Sequence, residues 1–266
     1  MAWLEEMLDL VFPPRPVCPL CGEASAGAQV CTGCRQQLAG FREGPRCHCC
    51  GRFPAAAAAD PGRVLKKQGG KLLCPECLRG EHYFTLARSA GPYEGPLRDA
   101  IHRFKFGRKR SLAGALGGLL AGVVEELLLL QSHARHHGPP RVSSPVAGLV
   151  PVPLARPRLE ERGFNQAALL AQEAAALTGL PVLPVLEKIR ETPPQTELSR
   201  AERRINLAGA FTVCPAPKSP FPFPAGRAVI LIDDVLTTGS TADECARILR
   251  SAGAGEVYLA TLAAAG

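Results

Sequence analysis

One thirteen-residue segment, VILIDDVLTTGST at residues 229–241, combines groups that could bind a phosphorylated ligand. Two carboxylates follow an apolar run, and small hydroxyl residues then surround a single glycine. Such a loop lets backbone N–H groups converge on one spot, and a following helix adds the positive end of its dipole, which favours a phosphate. The phosphate contacts predicted from this pattern are Thr237, Thr238, Gly239, Ser240 and Thr241.

The paired carboxylates Asp233 and Asp234 suit a different part of the same ligand. They cannot hold a phosphate, but they can bind sugar hydroxyls and, directly or through water, a Mg²⁺ ion. They are therefore the candidate catalytic pair. The alternative, an ordinary strand–turn–helix with Asp and Thr as turn formers, does not account for the whole string. The absence of a Gly-Lys-Thr sequence after the strand excludes a Walker loop.

Two further polar segments could complete the site. Arg162 and Asn165, within RGFNQ at residues 162–166, are candidates for binding a pyrophosphate, because arginine makes bidentate contacts with phosphate. The alternative is a solvated basic loop balanced by neighbouring glutamates. The segment at residues 190–206 could form a lid that closes over the ligand, or simply a loop and a solvated helix face.

Eight of the eleven cysteines form four CxxC pairs, a spacing typical of zinc knuckles. Sequential pairing predicts two sites, although interleaved pairing and a substitution by Cys49 or His48 at the second site stay open. Zinc could serve only to stabilise the fold of this small module, or the module could also bind a partner or nucleic acid. The predicted ligands are Cys18, Cys21, Cys31 and Cys34 for the first site, and Cys47, Cys50, Cys74 and Cys77 for the second.

The segment at residues 98–110 is basic and contains interleaved aromatic residues. Basic side chains neutralise a nucleic-acid backbone and aromatic rings stack on bases, a combination suited to single-stranded DNA. Lys105, Lys109 and Arg110 are the candidate contacts. A helix end with a solvated basic face and buried phenylalanines is an equally good interpretation.

The elements that must position these groups alternate between strand and helix, which predicts an α/β fold with a parallel sheet flanked by helices. Thr241 and Glu244 have the spacing of a capping box, so a helix should begin near them. We expect a small zinc module at residues 1–79, with a short N-terminal helix, and the α/β domain at 80–266. Strands are predicted at residues 84–89, 148–153, 182–186, 228–232 and 256–262, and helices at 96–131, 164–178, 199–207 and 240–251.

Together these motifs give the chain a specific resemblance. The string at residues 229–241 resembles the phosphoribosyl pyrophosphate (PRPP) signature of type I phosphoribosyltransferases. The cysteine pairs, IHRFKFG at residues 101–107 and the segments around 162–166 and 192–211, in this order, resemble the ComF (ComFC) family. The resemblance implies a double zinc ribbon, a type I phosphoribosyltransferase-like domain, PRPP with Mg²⁺ as ligand, and structural zinc. It also implies a role in natural transformation, with single-stranded DNA and competence-machinery proteins as partners.

Composition limits the compartment and the partners. The first eleven residues carry three acidic side chains, unlike a secretory signal. The apolar stretch at residues 112–130 is interrupted by two adjacent glutamates, so we expect a buried helix, no membrane span and a cytoplasmic protein. The formal charge of +7 is a weak indication of nucleic-acid binding, because each four-thiolate zinc site would lower it by two.

Two functional hypotheses share the same ligand. The first is a PRPP-binding factor that handles single-stranded DNA during uptake. The second is an active phosphoribosyltransferase that transfers phosphoribose to a base or an amine. A weaker third is a PRPP-sensing regulator of transcription. No residue set in the sequence specifies an acceptor.

Overall fold

The structure is a computed structural model that describes most of the α/β domain and much of the cysteine module. The predicted N-terminal helix and most of the 190–206 segment with its charged helix at 199–207 lie outside the described residues. So do large parts of residues 54–70, 133–145 and 215–226, whose composition predicts surface loops. The described residues are 16–25, 27, 29–54, 65–80, 82–107, 109–137, 144–191, 206–214 and 223–265.

In the second part of the chain, helices lie between successive strands of the main sheet. The strands are β1 (Lys66–Gln68), β2 (Lys71–Leu73), β3 (Leu86–Pro92), β4 (Val146–Pro151), β5 (Leu186–Lys188), β6 (Phe211–Val213), β7 (Ala228–Leu236) and β8 (Val257–Ala264). The helices are α1 (Thr32–Glu43), α2 (Pro75–Leu78), α3 (Gly95–Phe106), α4 (Ala113–His137), α5 (Arg156–Arg162), α6 (Gln166–Thr178) and α7 (Ser240–Ser251), with a 3-10 helix at Arg110–Leu112.

Four parallel strands in the order β3-β8-β7-β4 form the central sheet. Strand β7 lies inside it, and its residues 228–232 are fully buried because side chains on both faces pack against core clusters. The predicted α/β fold with a parallel sheet is therefore confirmed. All four strands end at the same edge, where ligands of open α/β sheets bind.

The strand predicted at residues 182–186 is displaced from this sheet. Val182 makes one parallel bridge with Leu149, and the pairing then stops. Pro184 has no N–H group to continue the ladder. The chain instead forms β5, which pairs antiparallel with β6 in a separate two-stranded sheet.

The single helix predicted at residues 96–131 is two helices in the structure. Helix α3 ends at Phe106, and the N–H of Gly107 donates to the carbonyl of Arg103 at 3.0 Å. A Cβ atom at residue 107 would lie 2.6 Å from that same carbonyl oxygen, so glycine is the residue that fits this end. The break brings Lys105 and Phe106 to one end of the helix, next to the carboxyl edge of the sheet.

Helix α4 packs against β3, β8 and α6. A Cβ at Gly117 would lie 2.2 Å from the Cβ of Glu173, which shows how closely α4 and α6 approach each other. The segment Arg110–Ser132 is long and apolar enough to cross a membrane, and half of it is buried within the fold. One such helix is weak evidence of a span, because core helices meet the same criteria.

The cysteine module is joined to the α/β domain by ion pairs around Glu126 of α4. Its carboxylate pairs with Arg46 at 2.5 Å, with Arg42 at 3.6 Å and with Arg88 of β3 at 3.2 Å. Arg88 is buried, and its guanidinium also donates to the carbonyl of His48 at 3.1 Å. A partly buried carboxylate shared by cations from both parts of the chain fixes their relative positions.

Candidate functional site

Strand β7 delivers Asp233 and Asp234 to the carboxyl edge of the sheet. Neighbouring residues of a strand point to opposite faces, and the contacts of the two acids agree with this. Asp234 forms an ion pair with Lys105 of α3, with 2.8 Å between Nζ and Oδ1. Asp233 lines a small, open cleft together with Thr241 and Ala242 of α7. The two predicted acids therefore lie on opposite faces of β7 and do not form one cluster.

The Asp233 carboxyl has a perturbed acidity. Burial raises its pKa to about 7, the charge of Asp234 adds to the rise, and Lys105 acts in the opposite direction. Its Oδ1 accepts a hydrogen bond from the N–H of Asp234 at 2.9 Å, which favours the charged form. Near pH 7 the group therefore exists in both forms, able to accept or to donate a hydrogen bond.

The loop predicted to hold a phosphate leads directly into α7. Gly239 precedes the helix with a φ of 84°, a left-handed conformation that favours glycine. Thr238 Oγ1 lies 3.1 Å from Ser240 Oγ and accepts a weak bond from the Ser240 N–H at 3.5 Å. The loop therefore gathers hydroxyls at a helix N-terminus, where backbone N–H groups lack partners within the helix.

The prediction that a helix begins near Thr241 is confirmed, but the capping box itself does not form. Helix α7 begins at Ser240, and no side chain caps its N-terminus. The Glu244 carboxylate accepts a hydrogen bond from the N–H of Gly209 at 3.0 Å and pairs with Arg247 at 2.8 Å. The beginning of α7 is set by Gly239 rather than by a threonine–glutamate pair.

Segments 104–110 and 162–166, both predicted from their cations, meet each other at the same edge. The Arg162 guanidinium lies 5.1 Å from the centre of the Phe106 ring, and its Nη1 donates to Gln166 Oε1 at 3.2 Å. Arg110 donates to the carbonyl of Gly163 and lies 5.0 Å from the centre of the Phe164 ring. Lys109, like Arg110, is exposed. Two separate sequence motifs therefore form one cationic and aromatic surface beside Asp234.

Asn165 has a structural role in this arrangement. Its Oδ1 accepts hydrogen bonds from the N–H groups of Ala167 and Ala168 at 2.9 and 3.3 Å, so it caps α6. Its Nδ2 donates to the carbonyl of Val152 at 3.0 Å, and the N–H of Val152 donates to Ile232. Through Val152, Asn165 thus links the RGFNQ loop to Ile232, the residue that precedes Asp233 in β7. Its predicted contact with a ligand stays a prediction.

The cysteines form two groups of four, and the predicted sequential pairing is confirmed. Within each group all Sγ atoms lie within 4.8 Å of one another, and Cys21–Cys31 and Cys50–Cys74 are separated by 3.7 and 3.6 Å. A tetrahedral Zn²⁺ with bonds of about 2.3 Å places sulfurs about 3.8 Å apart, so both groups fit structural zinc.

The remaining cysteines lie outside these groups. Cys49 is half-buried and His48 is exposed, and neither belongs to the second group of ligands. Cys245 is fully buried, and burial raises the pKa of its thiol well above the ordinary value. It is therefore an unreactive core thiol. Cys214 is half-buried after β6.

Comparisons with known proteins agree with this architecture. The double zinc ribbon domain model matches residues 7–78, and the phosphoribosyl transferase domain model matches residues 159–266. Competence protein F of Haemophilus influenzae is 33% identical over 237 residues, which cover 89% of this chain and 90% of that protein. The chain belongs to the competence protein F family.

Other relatives extend this family across bacteria. DNA utilization protein YhgH of Salmonella typhimurium is 31% identical over 231 residues, covering 86% of this chain and 94% of that protein. Competence protein ComFC of Bacillus subtilis is 25% identical over 231 residues, covering 85% of this chain and 79% of that protein.

Sequence reasoning missed two residues that contact the loop at residues 237–241, which is predicted to hold a phosphate. Arg52 of the cysteine module donates to the carbonyl of Thr237, and His82 lies beside Gly239. The partners of Arg52 and His82 are 185 and 161 residues away along the chain, so no local pattern could reveal them. The position of Arg52 immediately after the CxxCG knuckle was the one available signal.

The adjacent residues Cys49 and Cys50 offer a test of the second metal centre. We expect the wild-type protein to bind two zinc ions, Cys50→Ser to retain one, and Cys49→Ser to retain two, because only Cys50 belongs to the group of four. Metal content is measured by atomic emission on the purified proteins. Loss of one zinc from the Cys49 variant with two retained by Cys50→Ser would reverse the ligand assignment.

The raised pKa of Asp233 predicts a pH-dependent stability. Between the ordinary value of 3.8 and about 7 the folded protein binds a proton that the unfolded chain releases, so the free energy of unfolding decreases as the pH rises through this range. Asp233→Asn should remove this component, worth at most about 1.4 kcal/mol per pH unit. Urea unfolding at pH 5 and pH 8 measures it, with the exposed Asp99→Asn as control. Parallel profiles for wild type and Asp233→Asn would contradict the assignment.

Proposed function

We propose that this chain binds PRPP together with Mg²⁺ at residues 233–241 and acts in the cytoplasm in the handling of DNA during its uptake. This proposal depends on one observation. A buried parallel strand, two acids and a helix preceded by a glycine follow one another at the carboxyl edge of the sheet. The phosphoribosyl transferase domain match and the relatives named competence protein F and DNA utilization protein support the proposal.

In this proposal the ligand spans the cleft beside α7. The loop from Thr237 to Thr241 binds the 5′-phosphate through backbone N–H groups and hydroxyls, assisted by the helix dipole. Asp233 lines that cleft and takes the ribose hydroxyls, and Asp234 takes a ribose hydroxyl or Mg²⁺ from the other face of β7. When bound, Mg²⁺ would neutralise the pyrophosphate and polarise its oxygens.

Lys105 and Arg162 would complete the site at the pyrophosphate end. Lys105 neutralises Asp234 in the ligand-free protein, and its flexible side chain could turn to the pyrophosphate when Mg²⁺ replaces it at the carboxylate. Arg162 lies on the neighbouring loop, oriented by Phe106 and Gln166. Lys105 is therefore a better candidate for the PRPP site than for a DNA surface.

The acidic pair provides the test of this proposal. We expect Asp233→Asn combined with Asp234→Asn to fold normally and to lose PRPP binding in the presence of Mg²⁺, because the ribose and metal contacts are gone. Isothermal titration calorimetry with PRPP measures the affinity, and the control is Asp99→Asn, which removes an exposed carboxylate. Unchanged affinity in the double variant would refute the site.

The second candidate function, transfer of phosphoribose to a base or an amine, uses the same ligand. It is favoured by the match to the transferase domain. Electrostatic stabilisation of an oxocarbenium-like transition state by the acids would be the main catalytic effect. Pyrophosphate release from PRPP and Mg²⁺ across a panel of bases separates the two functions: release at an ordinary enzymatic rate would favour the enzyme, and binding without release the factor.

The cationic and aromatic surface beside the site supports contact with single-stranded DNA. The Phe106 ring is 63% exposed, so one face remains accessible although Arg162 lies against the ring. Lys109 and Arg110 are also exposed on this side of α3. An open aromatic ring with flanking cations is the arrangement on which bases stack while phosphates are neutralised.

We therefore expect weak single-stranded DNA binding that declines steeply with salt. Changing Lys109 and Arg110 to Ala should lower the slope of log affinity against log salt by roughly 1.4, since each phosphate contact on a single strand contributes about 0.7. Fluorescence anisotropy with a labelled oligonucleotide measures this. Lys66→Ala with Lys67→Ala, on the exposed β1 strand of the zinc module, is the charge-matched control. A larger loss in that control would assign the DNA contact to the ribbons instead.

A further inference from the structure

A buried arginine of the second zinc ribbon contacts the backbone of the phosphate loop. Arg52 is 8% exposed, and its guanidinium donates to the carbonyl of Thr237 and pairs with Glu76 of α2. Glu76 lies between the zinc ligands Cys74 and Cys77. The same guanidinium therefore connects the metal-binding helix with the first residue of the loop.

The zinc knuckle itself fixes the backbone of Arg52. The N–H of Cys47 donates to the Arg52 carbonyl at 2.8 Å, and the N–H of Gly51 donates to Cys47 at 3.0 Å, which closes the turn. Gly51 has a φ of 69°, and a Cβ there would lie 2.6 Å from the Ala87 carbonyl of β3. The knuckle is thus held against the sheet, with little freedom for Arg52 to move while the turn is intact.

A second contact from the chain just after the zinc ligands supports the same loop. His82 and Phe84 stack with ring centres 4.5 Å apart and cover Gly239, where a Cβ would lie 3.6 Å from the His82 ring. The Asp243 carboxylate accepts the N–H of Tyr83 at 3.0 Å and lies 2.9 Å from His82 Nδ1. The loop and the first turn of α7 are therefore supported by Arg52, His82, Tyr83 and Phe84.

We propose that the second zinc ribbon positions the phosphate loop through Arg52, so that zinc at the Cys47, Cys50, Cys74 and Cys77 site sets the affinity of the loop for a phosphorylated ligand. Loss of zinc frees the knuckle and α2, Arg52 no longer holds the Thr237 carbonyl, and the loop samples conformations that do not bind. Ordering the loop on binding then costs affinity, which preorganisation avoids.

Coupling of this kind is reciprocal. If zinc strengthens the binding of PRPP by a given factor, PRPP must strengthen the binding of zinc at the second site by the same factor. The ligand part of this inference rests on the proposed PRPP site, whereas the positioning of the loop by Arg52 does not. The two can therefore be tested separately on the full chain.

Hydrogen–deuterium exchange of residues 236–243 reports the loop without any ligand. In Arg52→Gln that retains two zinc ions we expect these amides to exchange roughly tenfold faster or more, since a charged hydrogen bond to the loop is lost. Arg46→Gln, which removes an ion pair to Glu126 from the same module, is the matched control and should leave the loop unchanged. Equal exchange in Arg52→Gln and the wild type would overturn the proposal.

A second pair of variants keeps the test valid if Arg52→Gln fails to fold. Cys50→Ser removes the second zinc and should accelerate loop exchange, whereas Cys21→Ser disturbs the first site and should not. Equal acceleration in both would show a general loss of stability and would also overturn the proposal.

PRPP titrations then separate this inference from the proposed function. Weaker PRPP binding by Arg52→Gln, by roughly the same factor as the change in exchange, is the expected result. Faster loop exchange without any PRPP binding by the wild type would refute the PRPP site and leave the positioning role of Arg52 standing. Faster exchange with undiminished PRPP affinity would refute the control of affinity by zinc.

Discussion

The burial of β7 on both faces constrains every polar group of the site. A central parallel strand has no solvent-exposed face, so its polar residues can be accommodated only where the strand leaves the core. Ile232 is fully buried, whereas Asp233 reaches a cleft and Asp234 pairs with a lysine. The glycine-capped turn, the hydroxyl residues and α7 must all follow within a few residues of that point. One packing requirement thereby locates acids, loop and helix together.

The cysteine module contacts the end of this strand in addition to its metal-binding role. A segment this small and this rich in Gly and Pro cannot bury enough apolar surface to fold alone, and zinc coordination supplies the missing stabilisation. In return, Arg52 of the module contacts the strand-to-helix turn, together with His82 and Phe84, which follow the module in the chain. The zinc ribbon and the α/β domain are therefore packed against each other, unlike two units joined only by a linker.

Much of the fold follows from local sequence, and the reasons for the exceptions are physical. The CxxC spacing fixes both metal clusters, and the apolar run before Asp233 fixes the central strand. In contrast, two departures from the prediction depend on single residues that interrupt an otherwise continuous pattern. Gly107 ends helix α3, and Pro184 ends the pairing of its segment with β4. Asn165 has the residue type of a ligand contact and of a helix cap, and only its observed hydrogen bonds distinguish the two. Arg52 could not be assigned at all, since its function depends on a carbonyl distant in the chain.

The carboxylate of Glu126 has a consequence for how such chains can be recombined. It is shared by Arg42 and Arg46 from one part and by Arg88 from the first strand of the other. An exchange of the N-terminal part between homologous genes would remove two of the three cations around the partly buried Glu126 carboxylate, unless the incoming part brought equivalent arginines. Natural chimaeras with a crossover near residue 80 should therefore be rare, and these four positions should be inherited as a block.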